Sequence, residues 1–136
     1  MDLSKTMFVA ASGLRAQGER LRVIAENLAN ADSTATTPGG EPYRRKTVVF
    51  SNVLDDATGA QLVKVSGETV DRTPFERRFD PGHPAADADG YVLLPNVNPL
   101  IEMADMRQAL RAYEANLRIV EASKMMVQRT IDLLRA

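Results

Sequence analysis

The sequence has 136 residues, a formal net charge of -1, no Cys and one His. The near-neutral charge argues against a general nucleic-acid binder, which carries a basic excess. Without Cys, disulfides and thiolate nucleophiles are excluded within these residues, and one His leaves no His-rich metal site. We therefore expect no metal and no cofactor. No apolar run approaches the ~20 residues of a membrane span, and the first residues lack a signal-peptide pattern.

Gly and Pro residues divide the sequence into three parts. Residues 1–31 contain two Gly, residues 32–99 contain six Gly and all seven Pro, and residues 100–136 contain neither. Because Gly and Pro interrupt helices and favour turns, we predict a first helix in 1–31, a turn-rich β insert in 32–99 and a last helix in 100–136. The two helices are expected to form one helical core domain.

The first part has the periodicity of a heptad helix. Its apolar residues recur at alternating intervals of four and three, interrupted only by Gln17: Leu3, Met7, Ala10, Leu14, Leu21, Ile24, Leu28 and Ala31. This spacing is typical of a coiled-coil seam. Gly13 and Gly18 within it are either tolerated surface glycines or sites where a neighbouring helix approaches closely.

The insert is predicted to consist of short strands over 44–50, 61–65, 75–79 and 91–94. Turn-forming residues separate them at 55–59, 66–68, 80–82 and 89–90. We therefore expect a hairpin-rich extension.

The last part begins with a helix-start signal and continues as a second heptad seam. Asn98 is the predicted N-cap, Pro99 occupies the first helical position, and Glu102 lies in the first turn. The seam is broken only by Lys124 and comprises Met103, Met106, Leu110, Tyr113, Leu117, Val120, Val127, Ile131 and Leu134. The predicted fold is mainly α: long N- and C-terminal helices paired as a coiled coil, with a small β-hairpin-rich insert between them.

No catalytic motif stands out in the sequence. His83 lies between two prolines in a turn, where no nucleophile or carboxylate is evidently held against it. The basic segment 43–46 is either a solvated strand edge or a surface for salt bridges to acidic partner subunits. No phosphate loop or nucleophile elbow is present. We expect no enzyme.

The two seams leave apolar residues pointing outward even when they are paired. Such a subunit can bind neighbours head to tail and build a helical assembly. The leading hypothesis is a structural, self-associating or co-assembling protein. The alternatives are a soluble coiled-coil adaptor or chaperone, and a hydrolase that uses His83.

Several motifs resemble the bacterial flagellar rod, hook and hook-associated family. Ser12-Gly13-Leu14 and the run 27–33 resemble its N-terminal signature, and Tyr113-Glu114-Ala115-Asn116 resembles its C-terminal counterpart. The insert motifs at 42–46, 79–84, 89–92 and 95–99 resemble the proximal rod members of that family.

This resemblance implies a non-enzymatic subunit of the flagellar rod, which crosses the periplasm and transmits torque. It implies export through the flagellar type III apparatus without a cleaved signal peptide. The implied partners are other rod proteins of the FlgB, FlgF and FlgG types, the FliE adaptor and copies of the chain itself. The terminal helices would form an inner tube around the export channel, and the insert would lock adjacent subunits.

The resemblance also implies structural roles for individual residues. Asn27 and Asn30 would cap the first helix and turn it into the insert, and Tyr113 and Asn116 would face that turn or a neighbour. The segments 43–46 and 81–84 would shape contacts between subunits. Together with the seam leucines, the predicted assembly residues are Leu14, Leu21, Asn27, Asn30, Tyr43, Arg44, Arg45, Pro81, His83, Asn96, Asn98, Tyr113, Asn116 and Leu117.

Overall fold

The computed structural model describes residues 2–136, which form two helices and four strands. In chain order the elements are α1 (Leu3–Ala29), β1 (Lys46–Asp55), β2 (Ala60–Val70), β3 (Glu76–Phe79), β4 (Tyr91–Leu94) and α2 (Pro99–Arg135). β1 pairs with β2 and β3 pairs with β4, so there are two separate two-stranded sheets in the described residues.

The chain divides into two compact units. The first unit contains the residues up to Leu21, the segment Val48–Gly67 and the residues from Arg107 onward. The second unit contains Arg22–Thr47 and Glu68–Met106. The three-part division expected from Gly and Pro remains a prediction about how the chain is organised.

The predicted fold class is wrong. The structure is mixed α/β, with 47% of the chain in helices and 21% in strands, and residues 2–136 show no coiled-coil pairing of long helices that spans the chain. The prediction fails because α2 buries a different face from the one that its heptad pattern indicates. The predicted seam residues Met103, Leu110 and Leu117 remain 49%, 43% and 39% exposed, whereas Ala109 and Ser123, in the next row, are 0% and 4% exposed.

The first hairpin is longer than the sequence pattern predicts. β1 and β2 contain 10 and 11 residues, and the predicted turn at 66–68 lies inside β2. The Ser66 hydroxyl donates to the Val49 carbonyl at 3.2 Å, so a polar residue that favours turns is used across the strand pair instead. The chain reverses at 56–59, where Gly59 has a φ of 63° that suits glycine.

In the first unit, α1 packs against both the hairpin and α2. The Ser12 hydroxyl accepts a hydrogen bond from the Val63 backbone N–H at 3.1 Å and donates to the Val9 carbonyl at 2.7 Å. A Cβ at Gly13 would lie 2.8 Å from Asn116 Nδ2. Gly13 is therefore the close-approach glycine of the two alternatives.

The two helix segments of the first unit run antiparallel. Gly13 lies against Asn116, and Arg20 donates to the Gln108 side chain at 3.2 Å. Residues further along α1 therefore contact residues earlier in α2. Gly18 has open space where its Cβ would be, which is the surface-glycine alternative.

In the second unit, β3 and β4 form a short antiparallel ladder that pairs Glu76 with Leu94 and Phe79 with Tyr91. The Phe79 and Tyr91 rings meet edge to face, with centroids 5.3 Å apart. Gly90, at a φ of 83°, precedes β4, and a Cβ there would lie 3.0 Å from the Phe79 ring. Glycine is therefore required at this position both by conformation and by space.

The start of α2 follows the predicted signal. The Asn98 side chain accepts a hydrogen bond from the Leu100 N–H at 3.1 Å, and the helix begins at Pro99. The prediction of Asn98 as N-cap is confirmed. Neither described helix contains a stretch that is both long and apolar enough to span a bilayer.

The two glycines of α1 provide a matched test of the close contact between α1 and α2 at Gly13. Gly18→Ala should raise the free energy of unfolding by about 0.5–1 kcal/mol, because alanine costs less backbone entropy in a helix. Gly13→Ala should give no such gain, because the new methyl group collides with the Asn116 amide. Urea unfolding followed by circular dichroism measures both changes.

Shortening Asn116 provides the control for this comparison. In an Asn116→Ala background, Gly13→Ala should stabilise the chain about as much as Gly18→Ala does. Equal gains for the two alanine variants in the unmodified background would contradict the close approach.

Candidate functional site

The second unit is organised around one buried amide, that of Asn27. Its Nδ2 donates to the Lys46 carbonyl at 2.8 Å and to Glu102 Oε2 at 3.2 Å. Its Oδ1 accepts from the Tyr43 hydroxyl at 2.9 Å and from the Lys46 N–H at 3.0 Å. All four hydrogen-bonding positions of the amide are filled, so this side chain is well satisfied although it is only 1% exposed.

Glu102 is the buried charge of the same site. Its residue is 0% exposed, and its carboxylate accepts a hydrogen bond from Arg45 Nε as well as from Asn27. Because Glu102 lies in the first turn of α2, the helix N-terminus also favours its negative charge. A buried carboxylate is costly to desolvate, and this one is compensated by a paired and hydrogen-bonded environment.

Arg45 is paired with more than one acid. Its guanidinium nitrogens lie 3.5 Å from Asp71 Oδ2 and 3.5 Å from Asp105 Oδ2. Desolvation lowers the pKa of Arg45, but the hydrogen bond to Glu102 and the nearby carboxylates outweigh it, so the net pKa is raised. We call Asn27, Arg45 and Glu102, with their partners Tyr43 and Asp71, the buried polar cluster.

Asn96 attaches two further backbone segments to this cluster. Its Oδ1 accepts from the Arg45 N–H at 2.7 Å, and its Nδ2 donates to the carbonyls of Asp71 at 2.9 Å and Thr73 at 3.1 Å. The backbone bond from Asp71 N–H to the Arg45 carbonyl, at 2.8 Å, closes the same arrangement. Asn96 therefore holds three chain segments together.

Two pKa shifts follow from these contacts. Burial raises the pKa of the Tyr43 phenol above its ordinary value of 10.0, and the Glu26 carboxylate adds to the effect. Hydrogen bonds from the Thr73 side chain and backbone, followed by the Arg45 charge, hold the pKa of Asp71 below its ordinary value of 3.8.

The basic segment 43–46 makes its contacts within the second unit. Lys46 Nζ lies 2.6 Å from Glu26 Oε1, and Arg45 is bound as described above. The Arg44 guanidinium stacks on the Phe75 ring, with its carbon 4.2 Å from the ring centre. Contacts from this segment to other subunits remain a prediction.

The two asparagines near the end of α1 have different roles. Asn30 donates from Nδ2 to the Glu26 carbonyl at 2.9 Å and accepts from the Ser33 hydroxyl at 3.0 Å, so it closes the helix and starts the turn. Asn27 does not cap the helix, because its side chain is fully engaged in the buried polar cluster.

Other predicted site residues are not members of the buried polar cluster. His83 accepts the Ala85 N–H at its Nδ1, at 3.0 Å, within the turn after Pro81. Asn116 donates to the Ala112 carbonyl at 3.0 Å beside Gly13. Leu14, Leu21 and Tyr113 are half-buried. The interface roles of these residues remain predictions.

Two apolar rows of α2 are exposed. Sequence reasoning expected the row outside the seam to point outward, but it missed the exposure of the seam row and the burial of Glu102. Each row repeats every seven residues: Met103, Leu110 and Leu117 form one, and Ile119, Met126 and Leu133 form the other. The heptad pattern signalled the first row but assigned it to the inside. Since one helical residue corresponds to a rotation of about 100°, a shift by one position moves a row off the buried face.

No group of three or more potential metal-ligating side chains occurs within residues 2–136. The three acids Asp71, Glu102 and Asp105 are instead paired with the Arg45 guanidinium. The contacts of the buried polar cluster join side chains and backbone of the second unit to one another.

Comparison with known proteins identifies the class. Residues 7–35 match the family described as "Flagella basal body rod protein", and residues 88–133 match "Flagellar basal body rod FlgEFG protein C-terminal". These matches define a protein of the flagellar basal-body rod class.

Full-length relatives refine this assignment. The flagellar basal-body rod protein FlgC of Agrobacterium fabrum is 54% identical over 134 residues, covering 98% of this chain and 96% of that protein. The FlgC of Salmonella typhimurium is 43% identical, with 98% of both chains covered, and that of Borreliella burgdorferi is 39% identical, with 99% of both covered. The chain belongs to the FlgC family, which confirms the resemblance inferred from its motifs.

The buried amide gives a first prediction for this site. Asn27→Ala should lower the free energy of unfolding by about 3 kcal/mol or more, because it leaves Glu102, Tyr43 and the Lys46 backbone without partners. Asn30→Ala is the matched control and should cost about 1 kcal/mol, since its contacts lie at a half-exposed helix end. Similar losses for both variants in urea unfolding would contradict the central position of Asn27.

The Asp71 carboxylate gives a prediction for acid stability. Because its folded pKa is lowered, its contribution is complete above the ordinary value of 3.8 and is lost as the pH falls through the lower folded pKa. In Asp71→Asn, the loss of stability between pH 5 and pH 2.5 should be smaller than in the unmodified chain.

Asp56→Asn, at an exposed position of the first hairpin turn, is the control for this measurement. It should leave the slope of stability against pH close to that of the unmodified chain. Parallel slopes for Asp71→Asn and the unmodified chain would show that the Asp71 contacts do not contribute.

Proposed function

We propose that this chain acts as a structural subunit of the bacterial flagellar basal-body rod. The observation that carries this function is the likeness along nearly the whole chain to FlgC rod proteins, at up to 54% identity. As a member of this family, the chain belongs to the flagellar basal body and assembles with other rod proteins.

The surface of α2 supports an assembling role. Apolar side chains of at least 39% exposure occupy two of its rows, and Leu133 reaches 77%. A helix that is apolar on more than one side is typically covered on each of them. Contiguous exposed apolar surface is likewise typical of interaction sites. Neighbouring subunits would bury these rows.

The finer assignment is a position in the proximal rod. There the chain would contact FlgB-, FlgF- and FlgG-type rod proteins, the FliE adaptor and copies of itself. Its terminal helices would contribute to a tube around the export channel and transmit torque through many staggered helix contacts. The chain would reach this position through the flagellar type III apparatus, without a cleaved signal peptide.

The proposed role is not enzymatic. A catalytic imidazole needs a free nitrogen held against a nucleophile or carboxylate. The Nδ1 of His83 is occupied by the backbone of its own turn. The rod role uses His83 as a turn residue, and within residues 2–136 no hydrogen bond from its imidazole to a nucleophile or carboxylate supports the hydrolase alternative.

Isolation of hook–basal bodies tests the rod assignment. Mass spectrometry of detergent-resistant basal bodies from the native bacterium should detect this chain, and a deletion strain should lack rods and hooks. Absence of the chain from basal bodies, together with swimming of the deletion strain, would contradict the proposal.

A substitution on the exposed row of α2 separates assembly from folding. Leu117→Asp should lower the free energy of unfolding of the purified chain by about 1 kcal/mol and leave it folded, because 39% of the residue is already exposed. It should nevertheless abolish swimming, because a charge would be buried between subunits. Leu117→Met, which keeps the row apolar, is the control and should swim. Swimming of the Leu117→Asp strain would remove this row from the assembly surface.

A further inference from the structure

The first hairpin has one open strand edge. Among the strands in residues 2–136, β1 is hydrogen-bonded to β2 alone, so its outer edge has no strand partner. α1 contacts the opposite edge, where the Ser12 hydroxyl accepts the Val63 N–H of β2 at 3.1 Å. Open edges are usually protected by charged side chains, Pro or a bulge. Residues 47–54 of β1 contain no charged residue and no Pro, so this edge is an unprotected template for strand pairing.

Backbone contacts show which groups of β1 point toward this edge. The Asp71 N–H donates to the Arg45 carbonyl, so odd-numbered residues direct their backbone groups toward β2. Lys46 directs its N–H and C=O outward, where the Asn27 amide binds both. The extra residue of the hairpin lies in β2, which has 11 residues against 10 in β1, so the alternation along β1 is unbroken. The free outward groups are therefore those of Val48, Phe50, Asn52 and Leu54.

The side chains beside the open edge are apolar on both faces of the hairpin. Val49 and Val53 lie on one face, and Phe50 and Leu54 lie on the other, since side chains alternate along a strand. All four are exposed. A strand that pairs here must therefore be uncharged and apolar on both of its faces. It must also be short, because Asn27 occupies the edge at one end and the turn at 56–59 closes the other.

The open edge of β1 is complementary to the same edge of a second copy. In an antiparallel pair centred on Ser51, the Val48 backbone faces that of Leu54, and the Phe50 backbone faces that of Asn52. Every free outward N–H and C=O of both copies then has a partner, because residues with outward groups oppose one another. No other register of two β1 edges pairs all of these groups.

The side chains select the same occupant. In this register Val48 meets Leu54 on one face and Val49 meets Val53 on the other, and no charge within 47–54 opposes another. The other strands of the chain fit this edge less well. β2 carries Lys64 and Glu68, β3 is charged at three of its 4 positions, and β4 has only 4 residues.

We propose that two free copies of this chain associate through their β1 edges, in the antiparallel register centred on Ser51. The two hairpins then form one four-stranded sheet. The inference goes beyond the proposed function. Both copies use the same surface and are related by a two-fold axis, so the pair is closed and cannot continue into an open helical array. The pair must therefore open before a copy enters the rod.

Disulfide trapping tests the register directly, because the chain has no Cys. Ser51→Cys places two thiols opposite each other across the two-fold axis, with Cα atoms about 4.5 Å apart, which is within the range of a disulfide. Ser66→Cys, at an exposed position of β2, is the control. During mild oxidation of the purified chain, Ser51→Cys should form a linked dimer at least about tenfold faster than Ser66→Cys. Equal rates would overturn the proposal.

A second substitution blocks the edge without disturbing the hairpin ladder. Asn52→Pro removes one outward N–H, and Pro is tolerated in an edge strand where its nitrogen faces away from the ladder. In the Ser51→Cys background it should reduce linkage to the rate of Ser66→Cys. Asn52→Ala, which keeps the N–H, is the control and should link as fast as Ser51→Cys alone. Equal linkage with Asn52→Pro and Asn52→Ala would contradict pairing through the backbone of this edge.

Basal bodies from a strain that expresses Ser51→Cys separate this contact from the rod function. The chain should be present in them, and oxidation should not link two copies, because the pair belongs to free copies. Linkage between two copies within the basal body would overturn the assignment to free copies. Absence of the unmodified chain from basal bodies would instead contradict the proposed function and would leave the result with the purified chain unchanged.

Discussion

The second unit depends on a single constraint, which is that Asn27 and Glu102 are buried and must be fully paired. Their polar atoms are satisfied only when the end of α1, the segment 43–46 and the start of α2 are all in place. An unpaired buried polar group costs about 1–3 kcal/mol, and an unpaired buried charge costs more. The cluster therefore favours one arrangement of these three segments. Apolar contacts alone are non-directional and would tolerate other arrangements.

The distribution of apolar residues complements this polar centre. The described core includes small side chains such as Ala16, Ala85 and Ala109, whereas the large aliphatic residues of α2 are exposed. A single chain with this surface is an incomplete unit of packing. This agrees with membership of a rod family and with the proposed role as an assembling subunit.

Much of the local structure could be predicted from the sequence. The strand at 91–94 and the N-cap at Asn98 follow from short-range turn and capping chemistry, and the structure has both. Whether Gly13 or Gly18 lies against another helix depends on where α2 packs, so the sequence of α1 alone could not decide between a surface glycine and a close contact. Asn27 was singled out by a motif, but its role as a buried hydrogen-bonding centre depends on Tyr43 and Glu102, which are distant in sequence.

The main error concerns which side of α2 faces the chain. Periodicity detects an apolar stripe, but it does not distinguish a stripe that covers the chain's own core from one that covers a neighbour. In a subunit of a larger assembly the second case is common, and the exposure of Leu110 and Leu117 is consistent with it. The sequence places Glu102 in the first turn of α2, where its charge is favourable. Its burial depends on the hydrogen bond from Arg45, a residue distant in sequence.

A double-mutant cycle between Arg45 and Glu102 tests the central claim most directly. The free energies of unfolding of Arg45→Met, Glu102→Leu and the double variant would be measured by urea unfolding at pH 7. If the pair is the buried centre of the second unit, each single variant should lose about 3–5 kcal/mol. The double variant should lose at least about 2 kcal/mol less than the sum of the two. Additive losses would contradict the account, because they would show that Arg45 and Glu102 stabilise the fold independently.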